Sequence, residues 1–256
     1  MNSQPGGGAE AAVTFLRFGK SMACAVALAA GFALSASEAA QSVKSKVAEV
    51  SQAEPAEETV KSEAAARVAE WIATSGDNGE LPYIIVDKQA ARLFLFDPTG
   101  KPLGDAPVLV GIATGDDATP GVGAKKLAEI GPAEKTTPAG RFLAKFGRAV
   151  GKERVLWVDY YTSVAMHAVV TSNKKERRVQ RLASPEVDDN RITFGCINVP
   201  TAFYSKRVSP LFRKAGGIVY VLPDSKPLEE VFPRLRLLPY IHKDAPDDSA
   251  PPLAQR

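Results

Sequence analysis

Apolar residues recur at three- and four-residue intervals at Val60, Ala64, Val68, Trp71 and Ile72, the spacing that turns one helix face toward a core. It predicts an amphipathic helix within residues 58–80, ending at the turn formers Ser75-Gly76-Asp77-Asn78-Gly79, with Trp71 laid on the domain that follows. Further along, the pattern changes to short apolar runs rich in β-branched and aromatic residues. Strands are expected at 83–87 (YIIVD), 91–97 (ARLFLFD), 107–112 (PVLVGI), 154–160 (RVLWVDY), 163–169 and 218–222 (IVYVL), with a turn at Asp97-Pro98-Thr99-Gly100. Residues 115–135 are polar and glycine-rich and read as a long loop. Residues 201–214 carry Phe203, Tyr204, Val208, Leu211 and Phe212 near helical spacing, with Pro210 predicting a short or broken helix.

Many short strands with few helices predict a mainly β protein with a single domain at 81–224. A solvated linker is expected at 41–57, where no aromatic residue occurs, and a Pro-rich tail at 225–256. No internal repeat is present. The composition, 45% hydrophobic and 24% charged, suits one globular core, and a formal charge of +3 is too small a footprint for nucleic-acid binding.

The N-terminus changes the picture of which residues matter. Arg17 and Lys20 precede an apolar run from Met22 to Leu34, and small residues follow at Ser35, Ala36, Ser37, Ala39 and Ala40. This order describes a secretory signal within 1–40, cleaved near Ala39 or Ala40, and the run is shorter than the roughly 18–20 residues of a spanning helix. Cleavage predicts a periplasmic or cell-envelope protein. It also removes Cys24, so of the two cysteines only Cys196 remains in the mature chain. A lone thiol in an oxidising compartment is buried and inert, paired between chains, or free and reactive.

Around Cys196 the chain reads Arg191-Ile192-Thr193-Phe194-Gly195-Cys196-Ile197-Asn198. Gly195 permits a sharp turn that exposes the sulfur and leaves the amides of Gly195 and Cys196 to hold an oxyanion, as an acyl-transfer nucleophile requires. Such a thiol needs a base, and imidazole is the usual one. Of the two histidines, His242 lies in a charged C-terminal stretch. His167 lies in the apolar run 164–169, where it is either that base or a core histidine satisfied by a backbone carbonyl.

These residues resemble the YkuD-type L,D-transpeptidases of the bacterial envelope, whose signature is a strand histidine followed by Ser/Thr-His-Gly-Cys, an aliphatic residue and Asn or Arg. Here the matching positions are His167 and Thr193-Phe194-Gly195-Cys196-Ile197-Asn198, with Arg191 matching an arginine common in the motif. Thr137-Pro138-Ala139-Gly140-Arg141-Phe142 is similar to the family's Thr-Pro-x-Gly-x-Phe segment. Two positions depart from the pattern. Phe194 replaces the second motif histidine, and the interval to Cys196 contains the charged insertion 173–178 (NKKERR), read as a solvated loop.

The resemblance implies an L,D-transpeptidase-like β-sandwich with few short helices. It also implies a monomeric enzyme that needs no metal or organic cofactor, with peptidoglycan stem peptides or an envelope-protein amine as partners. Cys196 would be the nucleophile, His167 the base and Gly195 with Cys196 the oxyanion hole, while Arg191, Thr193, Phe194 and Asn198 would meet substrate. Phe194 leaves two rivals open: a cysteine peptidase or amidase on the same fold, and a non-catalytic wall-binding module.

Overall fold

The computed structural model describes residues 61–149 and 154–241. The expected signal sequence, the linker, Cys24 and His242 lie outside them. Two compact units divide the chain at Glu58/Thr59, and everything below concerns the second.

Helix α1 (Glu63–Ser75) opens the described chain. Its N-cap Ser62 accepts the Ala65 amide at 3.1 Å and donates to Asp87 at 2.5 Å, so the cap also pins the helix to the sheet. Gly76 ends it in the left-handed conformation, φ 66°. Ala65, Val68, Trp71 and Ile72 are the buried face.

Ten strands follow: β1 (Tyr83–Asp87), β2 (Arg92–Phe96), β3 (Pro102–Pro107), β4 (Val110–Gly111), β5 (Gly140–Arg148), β6 (Arg154–Asp159), β7 (Val164–Ala168), β8 (Arg191–Thr193), β9 (Ile197–Val199) and β10 (Gly217–Val221). Eight of them form one sheet in the order β3-β2-β1-β10-β5-β6-β7-β9, and β4 pairs with β8. The pairings β1–β10 and β7–β9 are parallel, and the others in the large sheet antiparallel.

Both faces of the sheet's centre are buried, which is why β1 and β10 read as unbroken apolar runs. Alternate residues point into different cores. One core joins Ile84, Val86, Leu93 and Leu95 to Leu156, Met166, Ile197 and Val199, so strands from both ends of the sheet close on the same apolar interior. The other core joins Tyr83, Ile85, Phe94, Phe96, Ile218 and Tyr220 to α1 and to Leu228, Phe232, Leu235 and Leu238 of the Pro-rich segment. Burying Val68 and Ile72 contributes about 1.5–3 kcal/mol each.

Four strands carried no sequence expectation, among them the three-residue β8. β3 is a half-exposed edge strand interrupted by Gly104, and β5 mixes glycines with exposed Arg141 and Lys145, so neither shows a clean apolar run. β9 is only three residues long. The apolar run at 107–112 forms only the short β4, because Val108 and Leu109 bond to Ala91 and Asn198 as irregular chain. Helical residues 201–212 widen into a π-turn at Tyr204–Val208 just ahead of Pro210, which accommodates the missing amide and the ring.

Behind the sheet Lys88 is fully buried. Its Nζ donates to the carbonyls of Gly115 (2.6 Å) and Thr137 (2.9 Å) and to Asp116 Oδ1 (3.0 Å), and pairs with Asp224 Oδ2 at 3.2 Å. Asp224 Oδ1 in turn takes Arg191 at 2.6 Å. Two buried cations and two buried carboxylates thus compensate each other. Burial alone would raise the Asp116 carboxyl, but the amides of Asp224, Lys226 and Ser225, with the Lys88 ammonium, outweigh it and hold the group far below the ordinary carboxylate value.

Lys88→Met removes the ammonium shared by Asp116 and Asp224, leaving Asp116 without a cation, and is expected to lower unfolding free energy by about 3–5 kcal/mol, measured by urea titration at pH 7. Because the folded Asp116 is depressed, its contribution is present above the unfolded value of about 3.9 and is lost as pH falls toward the folded one. The acid limb of a urea-midpoint profile should therefore be shallower in Asp116→Asn than in the parent protein.

Candidate functional site

The parallel β7–β9 ladder sets His167 opposite Asn198. Met166 and Ile197, one step back, point into the core, so His167 and Asn198 share the other face. Cys196 stands immediately before β9, two residues from Asn198. The ladder therefore gathers the sequence's two central candidates at one end of the sheet.

A tight turn positions the sulfur. Gly195 has φ 123°, in the region that favours glycine, and a Cβ there would stand 2.6 Å from the Thr136 carbonyl oxygen. The Thr193 hydroxyl closes the turn by accepting the Gly195 amide (3.1 Å) and donating to the Cys196 carbonyl (2.6 Å). Thr137 braces it from behind, its Oγ1 donating to the Gly195 carbonyl and accepting the Gly111 amide, each at 2.8 Å. The same Thr137 offers its own carbonyl to Lys88, so the ion cluster and the cysteine turn are mechanically joined.

Cys196 is the free cysteine among the described residues and is partly buried. Its thiol donates to the Ser163 carbonyl across 3.8 Å. Ser163 sits at φ 60°, a left-handed position uncommon for serine, in the β6–β7 turn organised by Asp159. Burial pushes the Cys196 thiol above its ordinary value; a backbone hydrogen bond from Ala165 and the nearby Arg178 charge oppose the rise without cancelling it. Cys196 is therefore held as the neutral thiol near pH 7.

His167 Nδ1 lies 2.8 Å from the Ala168 carbonyl, which can only accept, so Nδ1 carries the proton. The neutral ring then presents Nε2 as acceptor, and the Asn198 side-chain amide donates to it at 3.3 Å. Asn198 is fully buried, and its Oδ1 accepts from Arg178 at 2.6 Å. Arg178 is itself paired with Glu176 at 2.5 Å. A chain of polar contacts thus runs Glu176–Arg178–Asn198–His167.

Several expected site residues have other partners. Arg191, expected at a substrate carboxylate, is 12% exposed and bound to Asp224, because that buried carboxylate requires a second cation beside Lys88. The Thr193 hydroxyl is committed to the turn, and Asn198 to Arg178 and His167. Of the two amides expected to face an oxyanion, Gly195's is taken by Thr193 Oγ1, while no side chain among the described residues takes that of Cys196. Phe194 is 39% exposed, and the Lys135 ammonium stands 3.8 Å over its ring.

The charged run 173–178, expected as a solvated loop, divides in the structure. Lys174, Lys175 and Arg177 are indeed exposed, but Arg178 turns inward and is 14% exposed. Its signal was hidden because every residue of a charge run looks alike until the backbone assigns it a direction. Thr137 and Ser163 act through backbone-directed contacts that no spacing rule announces.

No family model and no curated protein matches the chain. Among solved structures, it aligns with the catalytic domain of the E. faecium L,D-transpeptidase at 18% identity and TM-score 0.34, over 56% of this chain and 98% of that one. It aligns with a longer Enterococcus faecium L,D-transpeptidase at 18% identity and TM-score 0.31 (55% and 49%). An L,D-transpeptidase from Mycobacterium smegmatis aligns at 16% identity and TM-score 0.30 (55% and 58%). The chain thus spans about half the length of the longer neighbours. Likeness at this level carries no conclusion about activity.

Removing the Arg178 charge while keeping its bulk should leave burial less opposed. In Arg178→Met the pH profile of Cys196 alkylation by iodoacetamide is expected to move to higher pH, with a rate at pH 8 lower by at least about threefold.

Proposed function

We propose that this protein is an envelope cysteine acyltransferase of the L,D-transpeptidase kind, acting on peptidoglycan stem peptides. The observation that carries the reading is the state of His167. Its Nδ1 is fixed by the Ala168 carbonyl and its Nε2 is kept as an acceptor, on the strand paired with the one that the Cys196 turn enters. A neutral thiol and an imidazole held in its basic tautomer are the two groups that general-base activation of a nucleophile needs.

In the proposed reaction the Cys196 sulfur attacks the carbonyl of an L,D-peptide bond as its proton passes to His167 Nε2. The Asn198 amide must yield that nitrogen to the thiol as substrate enters. The tetrahedral oxyanion is met by the Cys196 amide. Collapse forms a thioester and breaks the C–N bond, and the imidazolium returns its proton to the departing amine. An amine from a second stem peptide or from an envelope protein then displaces the sulfur, giving the cross-link and restoring the thiol. Gly195 and Thr193 serve the turn, and Arg191 anchors β8 to the ion cluster.

Mass spectrometry of the mature protein after incubation with a carbapenem, an acyl donor in chemical type, should show one adduct on Cys196 and none in Cys196→Ala. His167→Ala should slow acylation by at least about 100-fold. Absence of the adduct, together with no iodoacetamide labelling of the native protein, would sink the enzyme reading and leave the wall-binding one. Muropeptide products with and without an added amine separate transfer from hydrolysis.

A further inference from the structure

We propose that Lys135 and Phe194 form a carboxylate-binding subsite at the mouth of the Cys196 turn, selecting acyl donors that carry a free carboxylate next to the bond attacked. The inference rests on the acyl-transfer reading above and deepens it. Its physical basis is a difference among the cations around the turn. Arg191 is neutralised by Asp224, Arg178 by Glu176, and Lys125 by Glu134 at 2.5 Å. Among the described residues no carboxylate pairs with Lys135; its ammonium rests instead on the Phe194 ring, 3.8 Å from the centroid.

That contact does two things. The ring face attracts the cation without cancelling its charge, so the field remains available to an incoming anion. It also restrains a side chain that would otherwise lose rotamer freedom on binding, lowering the entropic cost of holding a ligand. The place is set by backbone contacts. Lys135 directly precedes Thr136, whose carbonyl packs against Gly195, and the Lys135 carbonyl accepts the Ala113 amide at 3.1 Å. Phe194 is two residues from Cys196 and 39% exposed, so an anion meeting the ammonium also meets an apolar surface on the turn that carries the thiol. Phenylalanine cannot donate a hydrogen bond, but here it brings in a donor from another loop.

Two alkylating reagents of similar size, iodoacetate and iodoacetamide, read this field without any natural substrate. The ratio of their rates on Cys196 at low ionic strength should fall at least about fivefold in Lys135→Gln, remain near the parent value in Lys135→Arg, and fall in Phe194→Leu. It should also fall with added salt in the parent protein but little in Lys135→Gln. An unchanged ratio in Lys135→Gln overturns the subsite. With stem-peptide donors, Lys135→Gln should raise KM by about tenfold for the free carboxylate form and leave the amidated form nearly unaffected. An equal rise for both forms also overturns it. If neither donor acylates the parent protein, the acyl-transfer reading fails, while the alkylation ratio still decides whether the anion subsite exists.

Discussion

A buried lysine organises this molecule. An ammonium removed from water is tolerable only where carboxylates and carbonyls replace its hydration, and Lys88 gathers its replacements from three separate stretches of chain. Those partners lie at 115–116, at Thr137 and at Asp224. The requirement brings the end of β1, the long loop and the chain after β10 to one point. Asp224 carries the constraint to Arg191 at the start of β8, and Thr137 carries it to Gly195. The Cys196 turn is thus braced from both sides by the need to solvate one charge.

The face that carries His167 and Asn198 depends on a second constraint, the parallel register of β7 and β9. One step of slippage would exchange His167 with the core-facing Met166 and dissolve the pairing with Asn198. Apolar Met166, Ile197 and Val199 hold the register because each is fully buried in the common core. The polar chain from Glu176 to His167 then rests on a face already settled by packing, and the inserted segment contributes to the site through one inward-turned arginine.

How much of this was legible depends on the range of the forces involved. Strands at 83–87, 154–159 and 164–168 follow from short apolar runs, and α1 from its period and from the turn formers that begin at Ser75, because these signals are local. β3 and β5 escaped because their side chains are half-buried and their partners are remote in sequence. In the site, Cys196 and His167 stand out through scarcity and setting. Arg191, Thr193 and Asn198 are polar residues in a motif, and nothing local distinguishes one that faces a substrate from one that satisfies a neighbour.

The amino-acid order by itself set one thiol, Cys196, beside a turn-forming glycine and one histidine, His167, in an apolar strand. Chemical identity and local conformational preference are properties of residues and their immediate neighbours. Tertiary structure alone decided where the charges go: Arg191 to Asp224, Arg178 to Asn198, and Lys135 to the ring of Phe194. Electrostatic partners are chosen through space, and only the folded sheet brings residues so far apart in sequence within reach of one another.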